Sequence, residues 1–554
     1  MKQQQHVVLR LEGMSCEHCA RGIEQLLREA QGINEVEVSY AQALCRCSFD
    51  ASQTDVKTIT ARIEAGGSYR VREIKTAEEP SLRSNQSFDL IIIGGGSAAF
   101  SAAIKAESLG LRTLMVNAGL PWGGCCVNVG CIPSKHLIRA AENMYRSTHS
   151  SFSAIKPRGA ELDFASLIRD NKELVTELRK KKYLDVVKDF SHLSRISGWA
   201  EFEDEHSIRV DGKAIYSAKK ILIATGSSTR IPAIEGLETT DYLTHISLFE
   251  LEEKPPSLTI LGAGYIGLEL AQAYSRLGVK VRIMQFRDRV LRKQTPDISA
   301  LIANQLKDEG IELFPGLQAF RFEQKDETVV IHARQANGSV VQLEEKGKIV
   351  LATGTQANTS RLGLERIGLQ LNDKGQIVTN EYLQTNLPHI YAAGDVTNTP
   401  AYVYTAAHEG KTAVENAFAQ AKKKVDYSAL PWVIFTDPQI AGVGIDEAEA
   451  AALNLPFEVS KLSLEEVPRA LTAHDTRGFI KLIRNPETDR LLGARLVAPE
   501  GGELITLLSM AIKHEIPVKE LAESLYPYLT LSEGIKLTAI AFGKDISKLS
   551  CCAS

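Results

Sequence analysis

The stretch FDLIIIGGGSAA, from Phe88 to Ala99, decides the fold of this 554-residue chain. An Ile-rich strand pattern runs into three glycines and then into the helix pattern SAAIKAESLG. Gly94, Gly96 and Ala99 form a G-x-G-x-x-A fingerprint: the first glycine permits a tight turn, the second lets the backbone approach a pyrophosphate, and the helix start supplies N–H donors. The sequence therefore predicts a Rossmann-like α/β unit that binds a dinucleotide.

A second fingerprint follows in SLTILGAGYIG, where Gly262, Gly264 and Gly267 occupy the glycine positions. Two such units in one chain predict two bound dinucleotides. In the first unit the acidic residue expected about 20 residues on is replaced by Asn117 in LMVN, and an amide can still bind the ribose by hydrogen bonding.

The second unit favours a phosphorylated nicotinamide nucleotide. Its strand KVRIMQF ends without a carboxylate, and Arg287 and Arg289 follow. Guanidinium groups at this place suit the 2′-phosphate of NADPH better than the ribose of NADH. The alternative is that both arginines belong to a solvated surface turn.

Between the two fingerprints lies GGCCVNVGCIPSK, in which Cys126 and Cys131 are five residues apart. This spacing can bring both sulfurs together over a helix start, where the positive end of the helix dipole lowers a thiol pKa. Pro133 suits a first helical turn. The pair is predicted to be redox-active, and the neighbouring Cys125 is a third thiol that can be a bystander.

Two further thiol pairs lie near the chain ends. Cys16 and Cys19 stand in GMSCEHCA, and Cys551 and Cys552 stand in the final CCAS. Adjacent cysteines on a tail cannot cross-link a folded core, so the second pair is interpreted as a mobile ligand for a soft metal ion. The first pair opens a βαββαβ pattern from about Val7 to Ile74, which predicts a ferredoxin-like module.

Composition narrows the class of protein. Hydrophobic residues make up 44% and charged residues 24%, as in ordinary globular proteins, and a net charge of −4 argues against nucleic acid as a partner. The start MKQQQHVVLRLEG is not a signal peptide, and no apolar run reaches the roughly 18 residues that span a bilayer. We therefore expect a cytoplasmic protein whose nine cysteines are catalytic or metal-binding rather than structural.

From Phe88 to Leu549 the chain resembles the flavoprotein pyridine nucleotide-disulfide oxidoreductases, through GGGSAA, CVNVGCIPSK, ATGSS, GAGYIGLE and TNLPHIYAAGD. The resemblance implies FAD in the first fingerprint and NAD(P)H in the second. It also implies roles for several residues. Gly226 and Asp395 would contact FAD, and Lys135 and Glu269 would form an ion pair. Tyr265 would gate the nicotinamide pocket. Cys131 would be the thiolate against the flavin, and Cys126 would be the sulfur that exchanges with substrate.

The C-terminal run YPYLTLSE departs from the histidine-containing H-P-T-x-x-E of glutathione and lipoamide reductases, because Tyr528 stands in place of the histidine. Phenols, with an ordinary pKa of about 10, are poor bases at neutral pH. Together with the SCCAS tail and a GMSCEHC loop similar to heavy-metal-associated domains, this resembles the mercuric reductases.

That closer resemblance implies an NADPH-dependent reduction of thiol-bound Hg(II) to Hg(0) in a homodimer. Cys16 with Cys19, Cys126 with Cys131, and Cys551 with Cys552 would bind the ion in turn, with each tail serving the partner subunit. Tyr526 and Tyr528 would line the pocket, and a membrane transporter is a possible mercury donor. The open alternatives are an NADPH-dependent disulfide oxidoreductase and a metal-binding chaperone with a vestigial flavin scaffold.

Several other residues receive less specific predictions. Cys45 and Cys47 are expected to be buried strand thiols, His18 a bystander in the CxxC loop, and His389 and His408 structural, while ATGTQANT departs from relatives without changing the fold. The predicted organisation is a heavy-metal-associated domain (1–75), a linker (76–87), an FAD-binding part (88–230), an NADPH-binding domain (231–365), a second FAD-binding part (366–427), an α+β dimerisation domain (428–549) and a dithiol tail (550–554).

Overall fold

A computed structural model describes residues 4–12, 14, 17–28, 30–40, 43–67, 69–77, 87–420 and 422–545. Cys16, Cys551 and Cys552 lie outside these described residues, as does the predicted linker between 78 and 86.

The N-terminal unit is a four-stranded antiparallel sheet in the order β2-β3-β1-β4 with two helices, so the predicted βαββαβ module is confirmed. Alternate apolar residues of its strands face the helices, and Leu9, Ile23 and Ile63 are fully buried between them. Its elements are β1 (Gln4–Glu12), α1 (Glu17–Arg28), β2 (Ile33–Ser39), β3 (Leu44–Asp50), α2 (Val56–Ala65) and β4 (Arg70–Ala77).

Two boundaries of this unit differ from the sequence prediction. Helix α1 begins at Glu17, inside the CxxC loop, so that Cys19 belongs to its first turn. Strand β4 continues to Ala77, through residues predicted as linker. The reason is main-chain pairing with β1, in which Lys75 opposes Val8 and Ala77 opposes His6, and such pairing does not require apolar side chains.

The first Rossmann-like unit is built on a sheet in the order β7-β6-β5-β10-β9-β8. Strand β21 also belongs to this sheet and pairs in parallel with β10. The buried residues Ile91, Ile92 and Leu222 form its centre. Its elements are β5 (Ser87–Ile93), α3 (Ser97–Ser108), β6 (Thr113–Asn117), α4 (Gly124–Val129), α5 (Cys131–Thr148), α6 (Phe164–Arg179), β7 (Leu193–Ser197), β8 (Ala200–Asp204), β9 (Ser207–Val210) and β10 (Ala214–Ile223). Helix α6 continues as a π-helical turn over Lys180–Leu184.

The second Rossmann-like unit has a parallel sheet in the order β12-β19-β13-β14-β15 and an antiparallel meander of β16, β17 and β18. The chain enters through β11 and leaves through β20, which pair with each other. The elements are β11 (Ser227–Thr229), β12 (Tyr242–Thr244), α7 (His245–Leu248), β13 (Ser257–Leu261), α8 (Tyr265–Arg276), β14 (Lys280–Gln285), α9 (Pro296–Asp308), β15 (Glu312–Pro315), β16 (Leu317–Lys325), β17 (Thr328–Gln335), β18 (Val340–Glu345), β19 (Lys348–Leu351) and β20 (Thr355–Ala357).

The chain then returns to the first sheet through β21 (Ile390–Ala392) and α10 (Val403–Phe418), which packs on α3. Gly410 makes this close packing possible, because a Cβ there would stand 2.0 Å from the carbonyl oxygen of Ala98. Helix α10 therefore holds the end of β21, where Asp395 follows, against the first fingerprint.

The C-terminal unit is an antiparallel sheet in the order β22-β23-β26-β25-β24 covered by helices. This is the α+β arrangement expected from the sequence. Its elements are β22 (Trp432–Ile434), β23 (Gln439–Gly444), α11 (Glu447–Ala452), β24 (Glu458–Ser463), α12 (Pro468–Thr472), β25 (Phe479–Arg484), β26 (Leu491–Ala498), α13 (Gly501–Lys513), α14 (Val518–Glu523) and α15 (Leu531–Ile540).

Candidate active site

The thiols of Cys126 and Cys131 meet where two short backbone segments pass very close to each other. Helix α4 carries Cys126, and helix α5 begins at Cys131. A Cβ on Gly130 would stand 3.0 Å from the carbonyl oxygen of Cys125 and 3.2 Å from the Cα of Cys126. A glycine avoids these tight contacts, and the close approach goes with hydrogen-bond contact between the two sulfurs, which are free thiols.

The surroundings make the two sulfurs chemically different. The hydrogen bond from Cys126, followed by the charge of Lys135, lowers the pKa of Cys131 to about 7 in spite of burial. The same hydrogen bond and burial raise the pKa of Cys126. The N–H groups at the start of α5 favour the same charge distribution. The arrangement therefore favours the thiolate at Cys131 and the thiol at Cys126, and Cys131 is about half ionised at pH 7.

An ion pair joins this dithiol region to the second Rossmann-like unit. Lys135 Nζ lies 2.7 Å from Glu269 Oε2, and Glu269 is 5% exposed. The other oxygen of Glu269 accepts the backbone N–H of Phe435 at 2.8 Å, and the Lys135 ammonium lies 4.5 Å from the centre of the Phe435 ring. The ion pair that the family resemblance implied is thus present, and three segments of the chain converge on it.

The first fingerprint has the shape of a pyrophosphate cradle. A Cβ on Gly94 would stand 2.1 Å from the carbonyl oxygen of Ala224, and Gly96 precedes α3 without a side-chain cap on the first helical turn. The N–H groups of that turn are therefore available to an anion. Ala99 is fully buried, as close packing of the helix on the strand requires. These features fit a dinucleotide.

Three other residues predicted for this cofactor surround the same sheet edge. Asn117 ends β6, and its side-chain amide donates to the carbonyl oxygen of Leu120 at 2.9 Å. Gly226 has a φ of 68°, and a Cβ there would meet nothing within 4 Å. Asp395 accepts a 3.1 Å hydrogen bond from Ser227, and burial raises the pKa of its carboxyl group.

The second fingerprint repeats this construction. A Cβ on Gly262 would stand 2.3 Å from the carbonyl oxygen of Ala352, and one on Gly267 would stand 2.1 Å from that of Gly262. By contrast, a Cβ on Gly264 would meet nothing within 4 Å, and α8 begins just after it without a side-chain cap. Tyr265, the first residue of α8, is half exposed at this opening.

The two arginines after β14 have different surroundings. Arg289 donates to the carbonyl oxygens of Arg292 and Gln294 at 3.0 and 3.1 Å, so it holds its own loop together. Arg287 lies with its guanidinium 4.9 Å from the centre of the exposed Phe286 ring. Arg287 is therefore the better placed of the two to contact a 2′-phosphate.

The C-terminal tyrosines lie on the connection between α14 and α15. Tyr526 is half-buried, and Leu525, which precedes it, is 96% exposed. Tyr528 is 51% exposed. Burial raises the pKa of Tyr526. Leu525 and Tyr528 are thus accessible to solvent in the single chain.

Sequence reasoning missed Tyr183, which lies close to the dithiol. Its hydroxyl is 3.3 Å from Ser97 Oγ, its ring packs edge-on against Phe100, and the charges of both Cys126 and Cys131 act on its phenol. Burial keeps its pKa raised, so it remains a protonated phenol at neutral pH. The feature that points to Tyr183 is the π-helical turn that carries it, because such turns are frequent at functional sites. This feature is visible only in the structure.

The cysteines of β3 agree with the less specific predictions, whereas the structural role expected of His408, which is exposed on α10, stays a prediction. Cys45 and Cys47 are buried in β3, and burial raises their pKa values to about 12 and about 11, so they are core thiols. His389 stacks on His206 and its Nε2 lies 2.8 Å from the carbonyl oxygen of Glu205. Cys125 is exposed, although its pKa is raised to about 12 by desolvation and then by Asp395.

Within the described ranges, no helix combines the length and the apolar character needed to cross a membrane.

Comparison with known proteins accounts for nearly the whole chain. Residues 88–410 match the pyridine nucleotide-disulphide oxidoreductase family, residues 430–539 its dimerisation domain, and residues 8–68 the heavy-metal-associated domain. A mercuric reductase from Lysinibacillus sphaericus is 40% identical over 98% of both chains, and one from Staphylococcus aureus is 38% identical over 98% of both.

Solved structures of the same fold are also similar. The HOCl-induced flavoprotein disulfide reductase RclA from Escherichia coli, as its Cu(II) complex, is 29% identical with a TM-score of 0.74, covering 83% of this chain and all of that one. The chain therefore belongs to the pyridine nucleotide-disulphide oxidoreductase family, together with the mercuric reductases that match it from end to end.

Proposed function

We propose that this protein reduces thiol-bound Hg(II) to elemental mercury at the expense of NADPH, as a mercury-detoxifying enzyme. The observation that carries the proposal is the unequal dithiol: a Cys131 thiolate with a pKa of about 7 in contact with the Cys126 thiol, in a chain that also carries a heavy-metal-associated domain. The mercuric reductases similar over the full length support the same substrate.

Residues of the two cradles would hold the cofactors. Gly94, Gly96, Ala99, Asn117, Gly226 and Asp395 would contact FAD, and Gly262, Gly264, Tyr265, Gly267 and Arg287 would contact NADPH. Bound FAD supplies a two-electron centre that takes a hydride equivalent from NADPH and delivers electrons to sulfur or metal. Overall the reaction balances as NADPH + Hg(II) → NADP⁺ + H⁺ + Hg(0).

The dithiol would capture the ion by stepwise thiol exchange. Cys126, which the resemblance assigns to exchange with substrate, displaces one small thiolate from the complex as its proton passes to the departing sulfur, and the Cys131 thiolate displaces the second. Lys135 keeps Cys131 ionised, and Glu269 keeps Lys135 in place. Because each exchange replaces one sulfur at a time, a tightly bound ion moves without being released.

No histidine base is needed for this chemistry. Disulfide exchange requires proton delivery to leaving thiols, and Tyr528 stands where relatives that reduce disulfides carry a histidine. A metal ion accepts two electrons without that proton. Tyr526, Tyr528 and the protonated Tyr183 would instead line the capture site and donate hydrogen bonds to the small thiolates as they leave.

The other two thiol pairs would deliver the ion. Cys19, in the first turn of α1, and Cys16, three residues earlier in the sequence, suit a soft cation in two-coordinate geometry. Cys551 and Cys552 would pass the ion to Cys126 and Cys131 of the partner subunit in a homodimer built on the C-terminal unit. A membrane transporter that imports mercury would supply a cytoplasmic enzyme of this kind.

The test is NADPH oxidation with Hg(II) in excess small thiol, compared with oxidised glutathione or oxidised lipoamide as acceptors. We expect mercury-dependent oxidation with one volatile Hg(0) released per NADPH. Turnover of the disulfides without mercury would instead identify a disulfide oxidoreductase, and stoichiometric metal binding without turnover would identify a metal-binding protein. Either result would refute the proposed function.

A further inference from the structure

Glu409, in the middle of α10, is a fully buried carboxylate that the proposed mechanism does not use. Burying an ionisable group is costly unless its oxygens are satisfied, so a carboxylate at this depth needs partners. The partners observed are hydrogen-bond donors. Glu409 Oε2 accepts the backbone N–H of Gly394 at 2.6 Å, and Oε1 accepts the hydroxyl of Tyr427 at 2.6 Å.

The first of these bonds acts on the turn that presents Asp395. Gly394 has a φ of 79°, and its carbonyl oxygen accepts the hydroxyl of Thr397 at 2.9 Å. Both sides of the Gly394 backbone are thus held, and Asp395 is the next residue. Its carboxylate accepts the hydroxyl of Ser227 at the edge of the first cradle.

The second bond reaches the segment that leads into the C-terminal unit. Tyr427 precedes β22 by five residues, and burial together with its hydrogen bond to Glu409 raises the pKa of its phenol. The hydroxyl therefore stays protonated and donates. A carboxylate suits this site because both of its oxygens accept. An amide has one accepting oxygen, so with that oxygen on the N–H of Gly394 its NH₂ would face Tyr427, whose hydroxyl would lose its acceptor.

We propose that Glu409 and Tyr427 act as a positioning pair, which fixes the Gly394–Asp395 turn and thereby sets how firmly the protein retains FAD. This role goes beyond the proposed function, since it concerns retention of the flavin and not the metal substrate. Neither residue touches the dithiol, so neither is a catalytic residue.

The experiment compares FAD release from three purified holoenzyme variants: Glu409→Gln, Tyr427→Phe and the double variant. Each is diluted to nanomolar concentration without mercury, and the rise in fluorescence of released FAD is followed, together with the visible absorption and circular dichroism of the bound flavin. Glu345→Gln is the matched control. Glu345 is also buried and accepts Thr259 at 2.6 Å and the N–H of Gly347 at 2.7 Å, but it belongs to the second Rossmann-like unit.

We expect Glu409→Gln to release FAD at least about tenfold faster, with an altered flavin spectrum, because a buried acceptor is lost. Tyr427→Phe should accelerate release by a smaller factor, and the double variant should match Glu409→Gln because the two residues act as one unit. Glu345→Gln should release FAD at the native rate.

Native release and a native flavin spectrum in Glu409→Gln would overturn the proposal. Equally fast release from Glu345→Gln would also overturn it, because general loosening would then explain the effect. If Glu409→Gln does not fold, Tyr427→Phe decides, since it removes only one hydroxyl, and native behaviour in that variant sinks the proposal. This experiment does not measure mercury reduction. A failure of the positioning-pair proposal can therefore be distinguished from a failure of the proposed function.

Discussion

Lys135 donates a 2.7 Å hydrogen bond to Glu269, and this contact joins the helix that begins at Cys131 to the helix that begins at Tyr265. The dithiol and the second fingerprint are therefore coupled through one ion pair. Glu269 is almost fully buried and also accepts the backbone N–H of Phe435, so the carboxylate that anchors the Lys135 ammonium is itself held in place.

Replacing Lys135 with methionine should raise the pKa of Cys131 by about one unit, because a favourable positive charge is removed while the packed stem remains. The thiolate fraction at pH 7 would fall from about half to about one tenth. The measurement is the pH dependence of iodoacetamide labelling at Cys131, followed by mass spectrometry of the reduced enzyme. Lys172→Met, at a surface pair with Glu250, is the control, and an unchanged pKa in Lys135→Met would contradict the assignment.

The rate of mercury capture should depend on pH through the same thiol. The pKa of Cys131 lies below its ordinary value of 9.0, so the thiolate persists in the neutral range and is lost as the pH falls through about 7. We expect kcat/KM for the mercury complex to drop below about pH 7 and to level off above it. The break should move to higher pH in Lys135→Met. A profile that is flat from pH 5.5 to 8 would refute this role of Cys131.

Gly130→Ala should separate the two sulfurs, because the added Cβ would press on the backbone of Cys125 and Cys126. Overpacking of this kind costs about 1–3 kcal/mol. We expect a lower melting temperature and a loss of Cys126–Cys131 disulfide formation, measured by thiol titration after mild oxidation. Gly543→Ala, where a Cβ meets nothing within 4 Å, should behave as the native enzyme. Normal disulfide formation in Gly130→Ala would show that the close approach is dispensable.

The tails are predicted to act on the partner subunit. A mixture of Cys126→Ser subunits with Cys551→Ser/Cys552→Ser subunits should regain activity when heterodimers form, because one native redox pair then faces one native tail. The assay is Hg(0) release at a low excess of small thiol, with each variant alone as control. An inactive mixture that contains heterodimers would exclude delivery between subunits.

Arg287→Ala should raise KM for NADPH by at least about tenfold and leave KM for NADH nearly unchanged, because a charge-assisted contact to the 2′-phosphate is lost. The matched control is Arg282→Ala on β14, the strand that precedes Arg287, because the guanidinium of Arg282 pairs with Glu312. Equal increases for both nucleotides would indicate a disturbed loop instead of a lost phosphate contact.

Most of the fold was predictable from local patterns. The fingerprints at Gly94 and Gly262 were visible because each glycine requirement arises within a few residues of one strand and one helix. The βαββαβ module was predictable for the same reason. The end of β4 was not predictable, because Lys75 and Ala77 are polar or small and join the strand only by pairing with β1.

The sequence by itself determined the two dinucleotide cradles and the redox pair, because their chemistry depends on residue types at short spacings. Tertiary structure alone decided that the charges of Cys126 and Cys131 act on Tyr183, that Glu409 holds the turn before Asp395, and that the hydrogen bond from Cys126 and the charge of Lys135 favour the thiolate of Cys131. These outcomes depend on distances between side chains far apart in the chain, and on burial, which acts on a pKa only after the chain has folded.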